Sequence, residues 1–437
     1  MRAAAGPEGL PQLMINQTCA PEAHDESADT ALREAKQGAH SMQHSGAAER
    51  RFRPLRILQL NSILRSGGTD NQCVHLAHGL VNLGQRVWVA GPDGRPFSAT
   101  CRNLGIPLHV IPREGPLKLS FILGAARFIR RQRVEIVHAH HGRDYWRTVL
   151  AAELSRVRPK LVLHRHLAKS LGTWVSRQFL LNRTDAFIAG SQCVSQILRE
   201  GLFEPDSPEP ERRARICIRG DHSKIHVVHG GVDTKRFFPR PSLALRQEWN
   251  LEPDHIVFAV VGGYPKPRGK GQREFLAAAA RICQAVPEAR FLLIGRGELE
   301  SQLRDDVRRL GLEGCAQLTP WCEDMPAVMN AIDCLVHPQI GTDAFSTVVL
   351  EAMACAKPVI ATRVDGAMEQ VLHGETGFLV DPEDLPGLAQ AMRFMVESGK
   401  FQRATLGARG RERACSQFDV RTTADRMLSV YRALVQG

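Results

Sequence analysis

The 437-residue chain lacks any run near the roughly 18 uncharged apolar residues that a spanning helix needs, so no helical membrane span is predicted. It has no C-x-x-C pair, although eleven cysteines run from Cys19 to Cys415. That spacing excludes the common zinc and dithiol motifs, and thiols inside apolar runs, such as Cys283 and Cys334, are expected to be buried and reduced. The N-terminal segment has no hydrophobic stretch of the kind a secretory signal carries, so a reducing cytoplasm is the expected setting. Aromatic residues make up only 6% of the chain and no nucleic-acid motif stands among them. A nucleic-acid binder is therefore disfavoured, and the formal charge of +11 is left to answer anionic lipid or phosphorylated substrates. No repeat of 20 to 50 residues is visible, which excludes a solenoid.

What is present is 43% apolar and 24% charged residues, the balance of a soluble globular protein, over a length that suggests two domains and a cleft between them. Residues 1–52 carry no sustained periodicity and are expected to form a disordered extension. From Leu55, short apolar runs alternate with helical spacings: "LRILQL", the loop "NSILRSGGTDN", then Val74, Leu76, Ala77, Leu80, Val81 and Leu83 before Gly84, then "RVWVAG". Units of strand, loop, helix and strand build parallel sheets. The rhythm continues through "VEIVHAH", "LVLHRH" and "DAFIAGS", is broken by Pro and charge at 200–222, an expected surface insertion, and resumes with "KIHVVHGGVD". After a connector, a second series starts at "IVFAVVGG" and runs through "ARFLLIG", "AQLTP", "CLVHP", "PVIAT" and "GFLV". The expected division is a first α/β domain over 53–234, a second over 235–418, and a C-terminal helix over 419–437 packing across both.

One stretch concentrates chemistry. "GTDAFSTVVLEAMACAKPVI" follows a buried strand, so its loop lies at a strand's C-terminal end, where open α/β sheets bind ligands. Asp343 stands in that loop. Ser346 or Thr347 would cap the next helix, whose free amides attract a phosphate. Glu351, one turn in, could accept hydrogen bonds from the vicinal hydroxyls of a ribose. On spacing alone, a capped surface helix with two ordinary acids explains the same pattern.

This stretch resembles the E-x7-E region of retaining glycosyltransferases of family 4, with Asp343 in place of the first Glu and Ala356 in place of a Gly. The order of other segments agrees: "SGGTDNQCVHLAHGLVNLGQRV", "VHAHH", "VVHGGVDTKRFFP" and "AIDCLVHPQ" resemble the family's glycine-rich loop and helix, its strand ending in His, its N-G-V-D stretch and the strand before its signature. The resemblance implies a GT-B fold, two Rossmann-like doubly wound α/β domains facing a central cleft, with the nucleotide-sugar held by the second and the acceptor by the first. It implies that Glu351 binds the ribose, that Asp343 approaches the transferred sugar and that Lys270 neutralises the diphosphate.

The companion Arg of that family is missing. Gly263 stands there, in a longer loop, and Lys266 or Arg268 would have to supply the second cation. Gly67 and Gly68 would let the backbone approach the donor, where a side chain would obstruct it. His140 matches the family's His near the sugar, with His141 a competing register, and His166 matches a weaker position. No D-x-D pair occurs, so no metal is expected at the diphosphate. Implied partners are a UDP-sugar or a GDP-sugar and a glycan or lipid-linked acceptor, with surface-polysaccharide or lipopolysaccharide assembly as the setting. Arg127 and the "RRQR" of Arg130–Arg133 form a basic helix end, either a contact for anionic lipid or a solvated face. A degenerate GT-B protein that binds nucleotide without turnover is the alternative.

Overall fold

The computed structural model describes residues 53–63, 67–93, 96–111, 119–201 and 216–437, and among these described residues thirteen parallel strands form two sheets. The expected extension lies outside the described residues, as do positions 202–215 of the expected insertion. The first sheet holds β1 (Arg56–Leu60), β2 (Arg86–Gly91), β3 (Leu108–Val110), β4 (Ile136–Ala139), β5 (Lys160–Arg165), β6 (Ala186–Ala189) and β7 (Ile225–Val227), in the order β3-β2-β1-β4-β5-β6-β7. The second holds β8 (Ile256–Val261), β9 (Ala289–Ile294), β10 (Ala316–Thr319), β11 (Cys334–His337), β12 (Val359–Thr362) and β13 (Gly377–Val380), in the order β10-β9-β8-β11-β12-β13. The strands are nearly unbroken apolar runs because helices cover both faces of each sheet.

In both sheets the order reverses once, between β1 and β4 and between β8 and β11. Ligands of doubly wound sheets bind outside the carboxyl ends of the strands at such a reversal. The residues concerned are 61–63, 67 and 140–144 in the first domain, and 262–271 and 338–346 in the second. These are the segments where the sequence concentrates Gly, His, Lys and acid.

Several boundaries differ from expectation. The apolar spacing after "IVFAVVGG" predicts a helix from Gln272 to Val286, but the helix ends at Ile282, and the connector folds a short helix at Leu243–Glu248. A 19-residue helix, Gly399–Gln417, had no sequence signal, because few of its positions are apolar and two glycines interrupt it. Tertiary contacts hold it: a Cβ on Gly407 would lie 2.0 Å from the Ala356 carbonyl oxygen, and Arg413 donates to the carbonyls of Gln370 and Glu369 at 3.0 and 2.7 Å. The last helix, Val420–Gln436, crosses back to the first domain and packs on the Gly68–Asn82 helix, so closely that a Cβ on Gly79 would lie 2.8 Å from that of Ala424. Among the described residues no helix is long and apolar enough to cross a membrane. The described cysteines are all free thiols; Cys334 is buried as expected, as are Cys73, Cys101 and Cys355, whereas Cys283, also expected to be buried, is only partly so and Cys217 is exposed.

Candidate functional site

The loop after β11 is organised around Asp343. Its carboxylate takes a hydrogen bond from His337 Nε2 at 2.7 Å and lies 3.9 Å from Lys270 Nζ. Burial would raise its pKa, but the His337 hydrogen bond, with the His337 and Lys270 charges, outweighs burial and holds the group below its ordinary value. The backbone is pinned as well: the Asp343 amide donates to Asp365 Oδ2 at 2.9 Å, and the Gly366 amide donates to the Asp343 carbonyl at 3.2 Å. At the loop's far end Gln370 takes the Ser346 amide at 3.1 Å and donates to the Ser346 carbonyl at 2.7 Å.

Ser346 is the cap residue of the Thr347–Ala354 helix, but its hydroxyl makes no capping bond, contrary to expectation. Among the described residues, the first amides of this helix therefore have neither an intrahelical nor a side-chain partner. Glu351 lies on the next turn, 8% exposed, and its carboxylate has no hydrogen bond or ion pair among the described residues. Burial lifts its pKa to about 8, against a weaker opposing pull from Arg236. Unliganded at neutral pH, Glu351 is thus largely protonated.

Lys270 comes from the loop after β8. Gln272, fully buried, closes this loop by accepting from the Lys270 amide at 2.6 Å and donating to the Gly263 carbonyl at 3.3 Å. A Cβ on Gly271 would lie 1.9 Å from the Pro338 carbonyl oxygen, so only glycine lets the loop reach the Asp343 segment. Lys266 is exposed and has no partner among the described residues. Arg268 is turned outward to Glu383, with Nη1 3.1 Å from Oε1 and both side chains more than half exposed.

Across the cleft, Gly67 caps the Gly68–Asn82 helix at φ 151°, a conformation L residues avoid. A Cβ on Gly67 would meet no atom of the described residues within 4 Å, and one on Gly68 would stand 4.0 Å from Thr347 Cγ2. The glycine requirement is thus conformational at Gly67, and Gly68 faces the donor-side helix directly. Asp70, in the first turn, accepts from Asn61 Nδ2 at 2.8 Å and from His141 Nε2 at 3.0 Å.

His140 departs from expectation. It is 2% exposed, with Nε2 2.6 Å from Gln59 Oε1 and Nδ1 3.0 Å from His166 Nε2, so both ring nitrogens are engaged inside the domain. The alternation of side chains along a strand explains this: His138 and His140 share one face of β4, His164 and His166 follow on β5 and beyond, and the rings stack. The partly exposed ring at the strand's end is His141. His138, His140 and His164 bring ring nitrogens within 4.8 Å of one another, but the rings of His138 and His164 are nearly parallel, 10° apart at 5.3 Å. Stacked rings direct their in-plane lone pairs side by side instead of toward a common ion.

Several of these residues escaped the sequence reading. Asp70 and His337 had a local signal, beside the glycine pair and at a strand's last position. Gln272, Asp365 and Gln370 had none, since only folding brings them to the loop.

Two facing parallel α/β domains with these strand orders, each opening a switch-point loop toward the other, define the GT-B class. The family described as Glycosyltransferase Family 4 matches residues 66–207, and Glycosyl transferases group 1 matches residues 255–398. The first domain is thus similar to family 4 glycosyltransferases and the second to group 1 glycosyl transferases, on a GT-B frame. It is 24% identical to N-acetyl-alpha-D-glucosaminyl L-malate synthase of Bacillus anthracis over 73% of this chain and 79% of that protein. It is 33% identical to the D-inositol 3-phosphate glycosyltransferase of Segniliparus rotundus, over 50% of this chain and about half, 49%, of the relative. The crystal structure of Anabaena HepE in complex with UDP and glucose superposes with a TM-score of 0.72 at 23% identity, over 87% of this chain and all of that one.

Proposed function

We propose that the protein transfers a hexose from a nucleotide-sugar to an acceptor hydroxyl with retention at the anomeric carbon. The observation that carries this reading is Glu351: a buried carboxylate with no hydrogen bond or ion pair among the described residues, one turn into the helix that follows the Asp343 loop. Ribose hydroxyls would supply the hydrogen bonds that Glu351 lacks. The diphosphate would lie between the amides of Thr347–Val349 and the ammonium of Lys270, and Lys266, exposed and without a partner among the described residues, would provide the second cation. Arg268 could do so only by leaving Glu383.

In the transfer, the bond from the anomeric carbon to the diphosphate oxygen breaks, the acceptor oxygen bonds to that carbon from the same face, and the acceptor proton passes to the leaving diphosphate. Stabilising that leaving group is the principal electrostatic task. Asp343, held by His337, would position the sugar, and His141 with Asp70 would line the acceptor side, while His140 acts behind them through Gln59 and His166. Uracil is the favoured base, and a UDP-sugar the favoured donor, since the GT-B neighbour from Anabaena holds UDP.

For the acceptor we infer a lipid-linked glycan of surface-polysaccharide or lipopolysaccharide assembly, presented at an anionic membrane on the cytoplasmic side. Leu119 and Leu123 on one helix, Leu150 and Leu154 on the helix packed against it, and Trp174 and Phe179 on a third are all exposed. Trp146 Nε1 ties the third helix in by donating to Ser176 at 2.9 Å. Arg127, Arg130 and Arg131 are nearby in sequence, and leucine, tryptophan and arginine together suit a charged interface.

The test is thermal stabilisation by UDP, GDP and ADP of the wild type and of Glu351→Ala at fixed salt. A ligand at one hundred times its dissociation constant adds about 2.7 kcal/mol. One diphosphate should stabilise the wild type and much less the variant. No effect of any at millimolar concentration would overturn the donor site. Gly263 in place of the family's Arg favours a second reading, binding without turnover; release of free nucleoside diphosphate from a sugar donor separates the two.

A further inference from the structure

The segment 365–370, which follows β12 and includes the short helix Ala367–Gln370, touches both ends of the Asp343–Ser346 loop and, on its other side, the first domain. Toward the loop, Asp365 takes the Asp343 amide, Gly366 donates to the Asp343 carbonyl, and Gln370 holds Ser346 through both amide and carbonyl. The fit is tight: a Cβ on Gly366 would lie 1.9 Å from the Ala344 carbonyl oxygen, and Asp365 adopts φ 44°, a strained value for a residue with a side chain.

Toward the first domain, Glu369 accepts from the amides of Gln192 and Cys193 at 2.9 and 3.0 Å and from His229 Nε2 at 2.7 Å. A carboxylate on the first amides of the Gln192–Glu200 helix occupies the position that a helix dipole favours for an anion. The Cys193 thiol donates to the other oxygen of Asp365 at 3.4 Å. A single carboxylate, that of Asp365, thus joins the Asp343 amide in one domain to a helix start in the other.

We propose that residues 365–370 form a positioning strap: by gripping the start of the Gln192–Glu200 helix, Glu369 and Asp365 couple closure of the cleft to the placement of Asp343 and Ser346. Neither is a catalytic residue, since both act through the loop they hold. The proposal deepens the transferase reading and rests on it for its kinetic consequence. The structural coupling does not depend on which sugar is moved. Donor nucleotide would bind to the second domain whether the strap is engaged or not, whereas transfer would need Asp343 fixed against the first domain.

The experiment uses the full chain and the variants Glu369→Ala, Glu369→Gln and Glu369→Asp, each checked for folding by circular dichroism. Hydrogen exchange over residues 341–350 is read first, because it requires no activity. Glu369→Ala should speed exchange of the Asp343 and Ser346 amides by tenfold or more although Glu369 touches neither, and Glu369→Asp should restore part of the protection. Kinetics follow: kcat should fall at least tenfold in the Ala and Gln variants, with nucleoside diphosphate affinity within about twofold of wild type. Unchanged exchange in a folded Glu369→Ala protein overturns the strap, as does a parallel loss of nucleotide affinity and kcat. Altered exchange in a protein without turnover would support the strap and count against the transferase reading.

Discussion

Replacing Glu351 by Gln separates a buried carboxyl group from its charge while keeping its shape. The folded pKa of about 8 stands against an ordinary value of 4.5, and burial is the cause. Between these values the folded state binds a proton that the unfolded state releases, so stability falls as pH rises. The favourable effect of the proton is fully present below about 4.5 and gone above about 8. From pH 6 to 9 the wild type should lose about 2.7 kcal/mol from this group, two units at 1.36 each, and Glu351→Gln should lose none of it. Nucleotide binding should show the opposite dependence. Ribose hydroxyls that donate to the carboxylate favour its charged form, so binding expels the proton and strengthens with pH, by up to about tenfold per unit between 6 and 8. The assay is calorimetric titration with UDP across that range, in buffers of different ionisation enthalpy. The diphosphate's own titration affects both proteins equally, so the signal is the difference in slope between wild type and Glu351→Gln. Equal slopes would refute the assignment of Glu351 to the ribose.

Four further outcomes follow from the structure. Lys270→Ala should reduce kcat/KM by about two orders of magnitude, on the order of 3 kcal/mol as for loss of an oxyanion donor. In steady-state kinetics Lys266→Ala should cost more activity than Arg268→Ala, whose exposed pair with Glu383 is worth no more than about 1 kcal/mol. Burial pushes the Glu369 pKa up, but hydrogen bonds from His229, Cys193 and Gln192 outweigh it and hold the group below its ordinary value. Its stabilising effect is therefore present above the ordinary carboxylate pKa and lost as pH falls through the folded one, and small-angle scattering should show the domains separating in acid but not at neutral pH. Trp174→Ala combined with Leu150→Asp should abolish co-sedimentation with phosphatidylglycerol vesicles and leave nucleotide stabilisation unchanged; retained sedimentation would remove this surface from the membrane reading.

Much of the fold was legible in the residues alone, since parallel strands covered on both faces must be apolar throughout and the helices between them must show a 3.6-residue stripe. These local requirements revealed two α/β series and set Asp343, Glu351, Lys270 and Gly67 in loops or helix starts at strand ends. The Gly399–Gln417 helix escaped because its glycines answer to Ala356 and its arginines to carbonyls of distant segments. The state of the site was likewise a tertiary matter. Only packing decides that Glu351 is dry enough to hold its proton, that Arg268 turns to Glu383, and that His140 faces Gln59 and His166 while His141 reaches Asp70. The strap belongs to the same kind: Asp343 and Asp365 are 22 positions apart and Glu369 and Gln192 are 177 apart, so the hydrogen bonds joining them exist only once two separately patterned domains have met. Sequence fixes what each element can bury, because that depends on near neighbours; burial, charge state and partner choice at the cleft depend on which elements end up side by side.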